Sequence, residues 1–419
     1  MEPLLECCAG LDVHRDTVVA TVRTPDGAGG RRVVTETFAV TTPTLLALRD
    51  WLQAQRVTHV ALESTGVYWK PIYYVLEDAF TLILVNMQHL RHVPGRKSDV
   101  RDSEWLAQLL ECGLLRGSFI PPSPIRDLRD LTRYRRAQLE DRTREVNRLH
   151  KLLIDAGLKL SSVLTDIMGM SGRAIVRALV EGTTDPALLA DLARGKLRAK
   201  LPALRTALQG RFRSHHAFLA SQILNKIAVI EDTIRDCTTE IDRLLVPFAA
   251  VLERLATIPG IQRRTAEIIV AETGADMTPF KTAGQLCSWA GICPGQDESA
   301  GKRRSGKTRR GNRYLRAALV EAGLAATRAK RTAIQARYAR LKRKHGHKKA
   351  VVATGHHLLK IAFYLMRNWA TASRSNRRLD REYFRSSYRD IPRGPFNIGW
   401  GLVIQVWLRP RPGTLAGGE

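Results

Sequence analysis

Cys7-Cys8-Ala9-Gly10-Leu11-Asp12-Val13, then His14-Arg15-Asp16, then Thr17-Val18-Val19-Ala20-Thr21-Val22-Arg23-Thr24 is the stretch on which the fold class turns. Two apolar, β-branched runs separated by three polar residues predict two strands joined by a tight connection. Working outward, Pro25-Asp26-Gly27 turns the chain into a third run, Arg32 to Val40. Leu45, Leu48 and Leu52 share one face at helical spacing, which predicts a helix from Thr44 to Ala54. Val57 to Leu62 reads as a buried strand ending at Glu63. A helix over Val67 to Ala79 and a strand over Thr81 to Val85 follow, before the loop at Pro94.

Three strands in a meander, then strands alternating with helices, is the element order of a ribonuclease H-like α/β domain with a mixed sheet. Acids fall at its strand ends: Asp12 near the end of the first strand and Glu63 at the end of a later one. Lys97-Ser98-Asp99-Val100-Arg101-Asp102 then runs into the helical pattern Trp105-Leu106-Leu109-Leu110. Asp99 and Asp102 have the i,i+3 spacing that puts two side chains on one helix face. Alone, the pair also reads as helix capping. Ligands of open α/β sheets bind at strand ends, and hard cations take oxygen donors, so four acids so placed predict a metal-dependent phosphodiester site.

The composition points the same way. The 419-residue chain carries a formal net charge of +27 and a pI near 10.5. Such an excess of cations calls for a polyanion, and nucleic acid is the first candidate because neutralising phosphates releases counterions. Long apolar runs, a signal peptide and lipidation motifs are all missing, so a soluble, intracellular protein without a membrane role is expected. Six cysteines without CxxC spacing predict reduced, mostly buried thiols rather than a zinc site.

Beyond Pro121-Pro122-Ser123-Pro124, read as a linker, the chain turns helical and charged. Arg126 to Lys151 is a basic amphipathic helix, either solvated or in contact with phosphates. Short helices are expected over Ser161 to Gly210. Phe212 to Leu252 repeats apolar residues at spacings of a long helix or an antiparallel coiled coil. Ile258-Pro259-Gly260-Ile261 before a helical run suggests a helix-hairpin-helix or a plain αα-turn. Trp289 to Lys307 is a glycine- and serine-rich loop feeding a helix. Lys302, Arg303, Arg304, Lys307, Arg309, Arg310, Arg313 and Arg316 lie along its second half and beyond, and would bind phosphates. His356 and His357 fall on an apolar helix, Val351 to Trp369, and read as core residues.

Gly10-Leu11-Asp12-Val13-His14, Glu63-Ser64-Thr65-Gly66-Val67-Tyr68 and Lys97-Ser98-Asp99-Val100-Arg101-Asp102 with Trp105-Leu106-Ala107 resemble the DEDD transposases of bacterial insertion sequences. The stretch Trp289 to Lys307, continuing through Arg310-Gly311-Asn312-Arg313-Tyr314-Leu315-Arg316, is similar to their second conserved region, and the resemblance covers roughly Leu5 to Phe384. It implies a RuvC-like (ribonuclease H-like) α/β domain over 1–120, a helical and coiled-coil region over 121–253 and a mainly α transposase domain over 254–390. The segment 391–419 matches nothing recognisable. It implies further that Asp12, Glu63, Asp99 and Asp102 bind Mg2+, with Mn2+ as the alternative. Ser299, with Ser305 as the fallback, would attack the DNA phosphate to give a phosphoserine intermediate. Partners implied are double-stranded donor and target DNA, a structured guide RNA and a second copy of the chain in a dimer or tetramer, in the bacterial cytoplasm at the nucleoid. Two other readings stay open: a RuvC-like structure-specific nuclease that hydrolyses with water, and a non-catalytic nucleic-acid-binding protein.

Overall fold

In the computed structural model, residues 4–27, 29–63, 66–85, 102–295, 297–299, 302–305 and 307–372 are described, and the chain divides into two compact units, Met1–Ile120 and Pro121–Glu419.

The first unit is built on a five-stranded sheet of β1 (Cys8–Val13), β2 (Thr17–Pro25), β3 (Arg31–Ala39), β4 (His59–Glu63) and β5 (Thr81–Val85), in the order β3-β2-β1-β4-β5. The meander β1-β2-β3 is antiparallel, whereas β1-β4 and β4-β5 are parallel, so the sheet is mixed, as the element order predicts. Alternation along the strands assigns the two faces. Ala9, Leu11, Val13, Val60 and Leu62 turn to one side, where Leu45, Leu48 and Leu52 of α1 (Thr42–Ala54) and Ile72 and Leu76 of α2 (Trp69–Leu76) complete a core. Each large aliphatic side chain buried there contributes roughly 1.5–3 kcal/mol. Cys8, Ala61 and Val85 turn to the other side and pack against Leu106 and Leu110 of α3 (Asp102–Glu111).

The second unit is almost entirely helical. α4 (Ser123–Asp155) lies antiparallel to α8 (Ser214–Leu244), as the cross-pairs Asp155 with His216, Glu145 with Lys226 and Arg142 with Glu231 show. The 31 residues of α8 give an arm of about 46 Å. The apolar repeat read in the sequence is thus the seam of an intrachain helical pair. α5 (Met170–Val180), α6 (Pro186–Asp191) and α7 (Leu201–Ala207) fold around a core that includes Leu149, Leu153, Ile175, Leu179, Leu204 and Ile227. The chain continues through α9 (Ala249–Ala256), α10 (Arg263–Thr273), α11 (Ala283–Trp289), a hairpin of β6 (Asp297–Ser299) and β7 (Lys302–Ser305), then α12 (Arg313–Ala326), α13 (Ala333–His345) and α14 (His347–Ala372). None of the helices is long and apolar enough to cross a membrane among the described residues.

Gly260 turns the chain between α9 and α10 with φ of +91°, and a Cβ there would stand 2.4 Å from the Ala322 carbonyl oxygen of α12. Only glycine meets both demands, so this turn is shaped by helix packing.

Candidate functional site

Asp12 and Glu63 are brought together by register. β1 and β4 run parallel with Leu11 opposite Leu62, so the next residues along, Asp12 and Glu63, stand side by side where the two strands end. Both belong to the alternation that includes Gly10 and Ala61, on the α3 side of the sheet. The Asp12 side chain is 19% exposed, with His14 Nε2 at 3.2 Å from its carboxylate.

α3 delivers Asp102 to the same end. Cys8 Sγ donates to the Ala107 carbonyl at 3.5 Å, while a Cβ on Gly10 would lie 2.1 Å from the carbonyl oxygen of Ser103. One step up β1 is therefore one turn back along α3, so the helix runs antiparallel to the strand and its N-terminus lies toward Asp12. Two side-chain ties hold it there. Ser103 Oγ is 2.7 Å from Thr21 Oγ1. At the other end, buried Glu111 accepts from Arg23 Nε at 2.6 Å and from Arg31 Nε. Gly10, and Ser103, which the sequence did not single out, are what let the acid-bearing helix lie flat on the sheet. Asp99 lies outside the described residues.

The three described acids present oxygen donors only, the set a hard divalent cation takes, and so they fit Mg2+ or Mn2+. Among the described residues the trio of ligand-type side chains lying within 4.8 Å of one another is a different one: Asp155, His215 and His216, at one end of the α4 and α8 pair. There His216 Nδ1 accepts the Arg213 backbone N–H at 3.1 Å, leaving the proton on Nε2, which faces Asp155 at 3.1 Å. His216 is thus a helix cap with no free lone pair for a metal.

Ser299 closes β6, opposite Lys302, and Ser305 lies at the hairpin's open end, opposite Asp297. The glycine-rich segment expected as a flexible loop is therefore a short two-stranded hairpin. Its base is pinned. Gly295 N–H donates to Lys307 O at 2.8 Å, and Gly291 and Gly311 meet so closely that a Cβ on Gly311 would lie 2.5 Å from Gly291 N. Of the eight cations read as phosphate ligands, Lys302, Arg303 and Arg304 lie on β7, and Lys307, Arg309 and Arg310 are exposed on the way to α12. Arg313 lies exposed over the Tyr314 ring, while Arg316 turns back to the Arg309 carbonyl at 3.4 Å.

Many cations of the basic helix α4 are engaged within the chain. Arg129, Arg133, Arg135, Arg136, Arg142, Arg144 and Arg148 pair with carboxylates of the chain itself. Two of the acids are inside the protein: Glu267, 0% exposed, accepts from Arg135, Arg263 and Arg264, and Glu272, 1% exposed, accepts from Arg133 and Asn312. Asn312 also caps α12 through the Tyr314 and Leu315 N–H groups, so the segment leaving the hairpin is anchored on buried Glu272. The sequence held one signal for this network: two glutamates, Glu267 and Glu272, set among the apolar residues Ala266 to Ala271 of α10.

Elsewhere the expectations for the core groups hold in part: His356 is half-buried, and three of the six cysteines are buried. His357 is buried, and burial with Arg337, Lys360 and His356 nearby pushes its pKa down to about 4. The six cysteines are free thiols, of which Cys8, Cys237 and Cys287 are buried. Burial raises Cys8 to about 11 and Cys287 to about 12.

Two sequence families match the chain. Residues 9–156 match the DEDD transposase family of IS110, and residues 252–339 match the transposase family IS116/IS110/IS902. Among curated proteins no sequence matches. The first match takes in Asp12, Glu63, Asp99 and Asp102 and the second takes in Ser299, so the acids and the serine that the resemblance marks both fall in transposase sequence. With both of its characteristic regions present in order, the chain belongs to the IS110 family of DEDD transposases of insertion sequences.

Proposed function

We propose that this transposase exchanges DNA strands with an acidic tetrad, Asp12, Glu63, Asp99 and Asp102, and a serine nucleophile, Ser299, under the direction of a guide RNA. The observation that carries the reading is the convergence of Asp12, Glu63 and the N-terminus of α3 on one corner of the sheet. The four carboxylates would hold Mg2+ or Mn2+, which supplies charge neutralisation at the scissile phosphate. Ser299 Oγ attacks phosphorus; the Oγ–P bond forms as the bond to the leaving deoxyribose oxygen breaks, and the serine proton ends on that leaving hydroxyl. The phosphoserine conserves the phosphodiester for rejoining to a second strand. A neutral hydroxyl is a weak nucleophile, so a group beside it must take the proton, and the tetrad carboxylates are the acids the reading assigns. Lys302, Arg303, Arg304, Lys307, Arg309, Arg310, Arg313 and Arg316 hold the backbone around the reacting phosphate. The working form is a homo-oligomer on donor and target duplexes, in the bacterial cytoplasm at the nucleoid.

Strand-exchange assays on Ser299→Ala, Ser305→Ala and Asp102→Ala test the assignment. Loss of the covalent protein–DNA adduct in Ser299→Ala, with the adduct kept in Ser305→Ala, is expected. Cleavage without an adduct by Ser299→Ala would replace the serine pathway with hydrolysis by water.

A further inference from the structure

Ten Lys or Arg and no acid lie between Arg328 and Lys349. Their situation is the opposite of that on α4. Among the described residues none of the ten pairs with a carboxylate, whereas the arginines of α4 are compensated almost one for one. Charge is concentrated at the corner where α13 ends and α14 begins: Lys342 to Lys349 are all exposed. Gly346, at φ of +79°, makes the turn, and Tyr338 OH fixes it through His347 Nδ1 at 2.7 Å.

Part of this charge has a structural reason. Lys342, Arg343 and Lys344 occupy the last turn of α13, where cations suit the negative end of the helix dipole. Lys348 and Lys349 have no such reason. They sit in the first turn of α14, a 26-residue helix whose first turn contains no acid, and there two cations oppose the positive end of the dipole. Cations at a helix start, beside N–H groups without intrahelical partners, are arranged for an external anion.

We infer that the α13 and α14 corner, through Lys342, Arg343, Lys344, Lys348 and Lys349, is a seat for the phosphate backbone of duplex DNA. The occupant follows from charge complementarity and from the lack of a stacking platform. Tyr338 is the aromatic residue of the 328–349 segment and its hydroxyl is tied to His347, so the surface suits a stacked duplex rather than splayed bases. Duplex DNA presents one phosphate per about 1.7 Å of axis, dense enough to engage all five cations. The inference rests on the DNA-transposase reading and adds a contact surface separate from the Ser299 hairpin.

The test uses the full-length protein and a 30-bp duplex, with binding followed by fluorescence anisotropy across a salt series. Lys348→Gln/Lys349→Gln should flatten the slope of log K against log salt by about 1.8, at about 0.9 per lost phosphate contact. Its melting temperature should hold or rise, because two charges opposing the dipole are gone. Arg144→Gln/Arg235→Gln removes the same net charge from the exposed arm and should leave the slope nearly unchanged. An unchanged slope in the lysine variant, an equal loss in the arm variant, or a loss confined to a structured RNA hairpin used as a second probe would each overturn the assignment. Adduct formation by Ser299→Ala is read in parallel. It reports on the nucleophile alone, so the failure of either claim is visible without the other.

Discussion

Replacing Gly10 with alanine tests how the fold sets the acidic corner. The new Cβ would lie 2.1 Å from the Ser103 carbonyl oxygen and 2.5 Å from the Ala107 nitrogen, both backbone atoms that cannot rotate away. Reaching ordinary van der Waals separation requires α3 to lift by on the order of 1 Å. The helix is held at both ends, by Ser103 to Thr21 and by Glu111 to Arg23 and Arg31, so the strain is not relieved by fraying. Overpacking of this kind costs about 1–3 kcal/mol. For a unit of this size that lowers the melting temperature by about 4–12 °C. In the tetrad proposed above, Asp102 moves with the helix, and a misplacement of about 1 Å there would cost on the order of 100-fold in rate. Melting of the full-length protein and strand exchange at saturating Mg2+ read the two effects. A Gly10→Ala protein that melts within about 1 °C of the parent, well below the 4 °C minimum expected, and exchanges strands at the parent rate would refute the packing argument.

Two further outcomes are expected. Glu272→Gln leaves Arg129 and Arg133 without their buried counter-charge, and denaturant unfolding should show a loss of about 3–5 kcal/mol; a loss below about 1 kcal/mol would mean that the charge is dispensable there. His357, held neutral by burial and by Arg337, Lys360 and His356, has a folded pKa near 4 against about 6.5 when unfolded. The unfolded chain therefore binds the extra proton, and stability present above pH 6.5 falls by up to about 3 kcal/mol as pH drops toward 4. His357→Leu should melt with a visibly weaker pH dependence over that window, and an unchanged profile would remove His357 as its source.

Strand and helix positions in the first unit follow from alternation and from the Leu45, Leu48, Leu52 spacing, because each is a local consequence of burying one face. The acids Asp12 and Glu63 were legible for the same reason: a carboxylate ending an apolar strand stands out against its neighbours. The serine segment was legible by composition, but not as a hairpin, because pairing of Ser299 with Lys302 depends on a turn that glycines permit without dictating.

The sequence by itself determined the mixed α/β order, the helical remainder and the residue types fit for metal and phosphate chemistry, since periodicity and charge are properties of the chain. Tertiary structure alone decided which charges are available. Arg126 to Lys151 and Arg328 to Lys349 are both basic runs, yet α4 pairs Arg129, Arg133, Arg135 and Arg142 with Glu272, Glu267 and Glu231 from distant parts of the chain, and the corner of α13 and α14 leaves its cations exposed. Arg133 is neutralised by Glu272, a partner that folding brings near from more than a hundred residues away, and no local reading of sequence contains that distance.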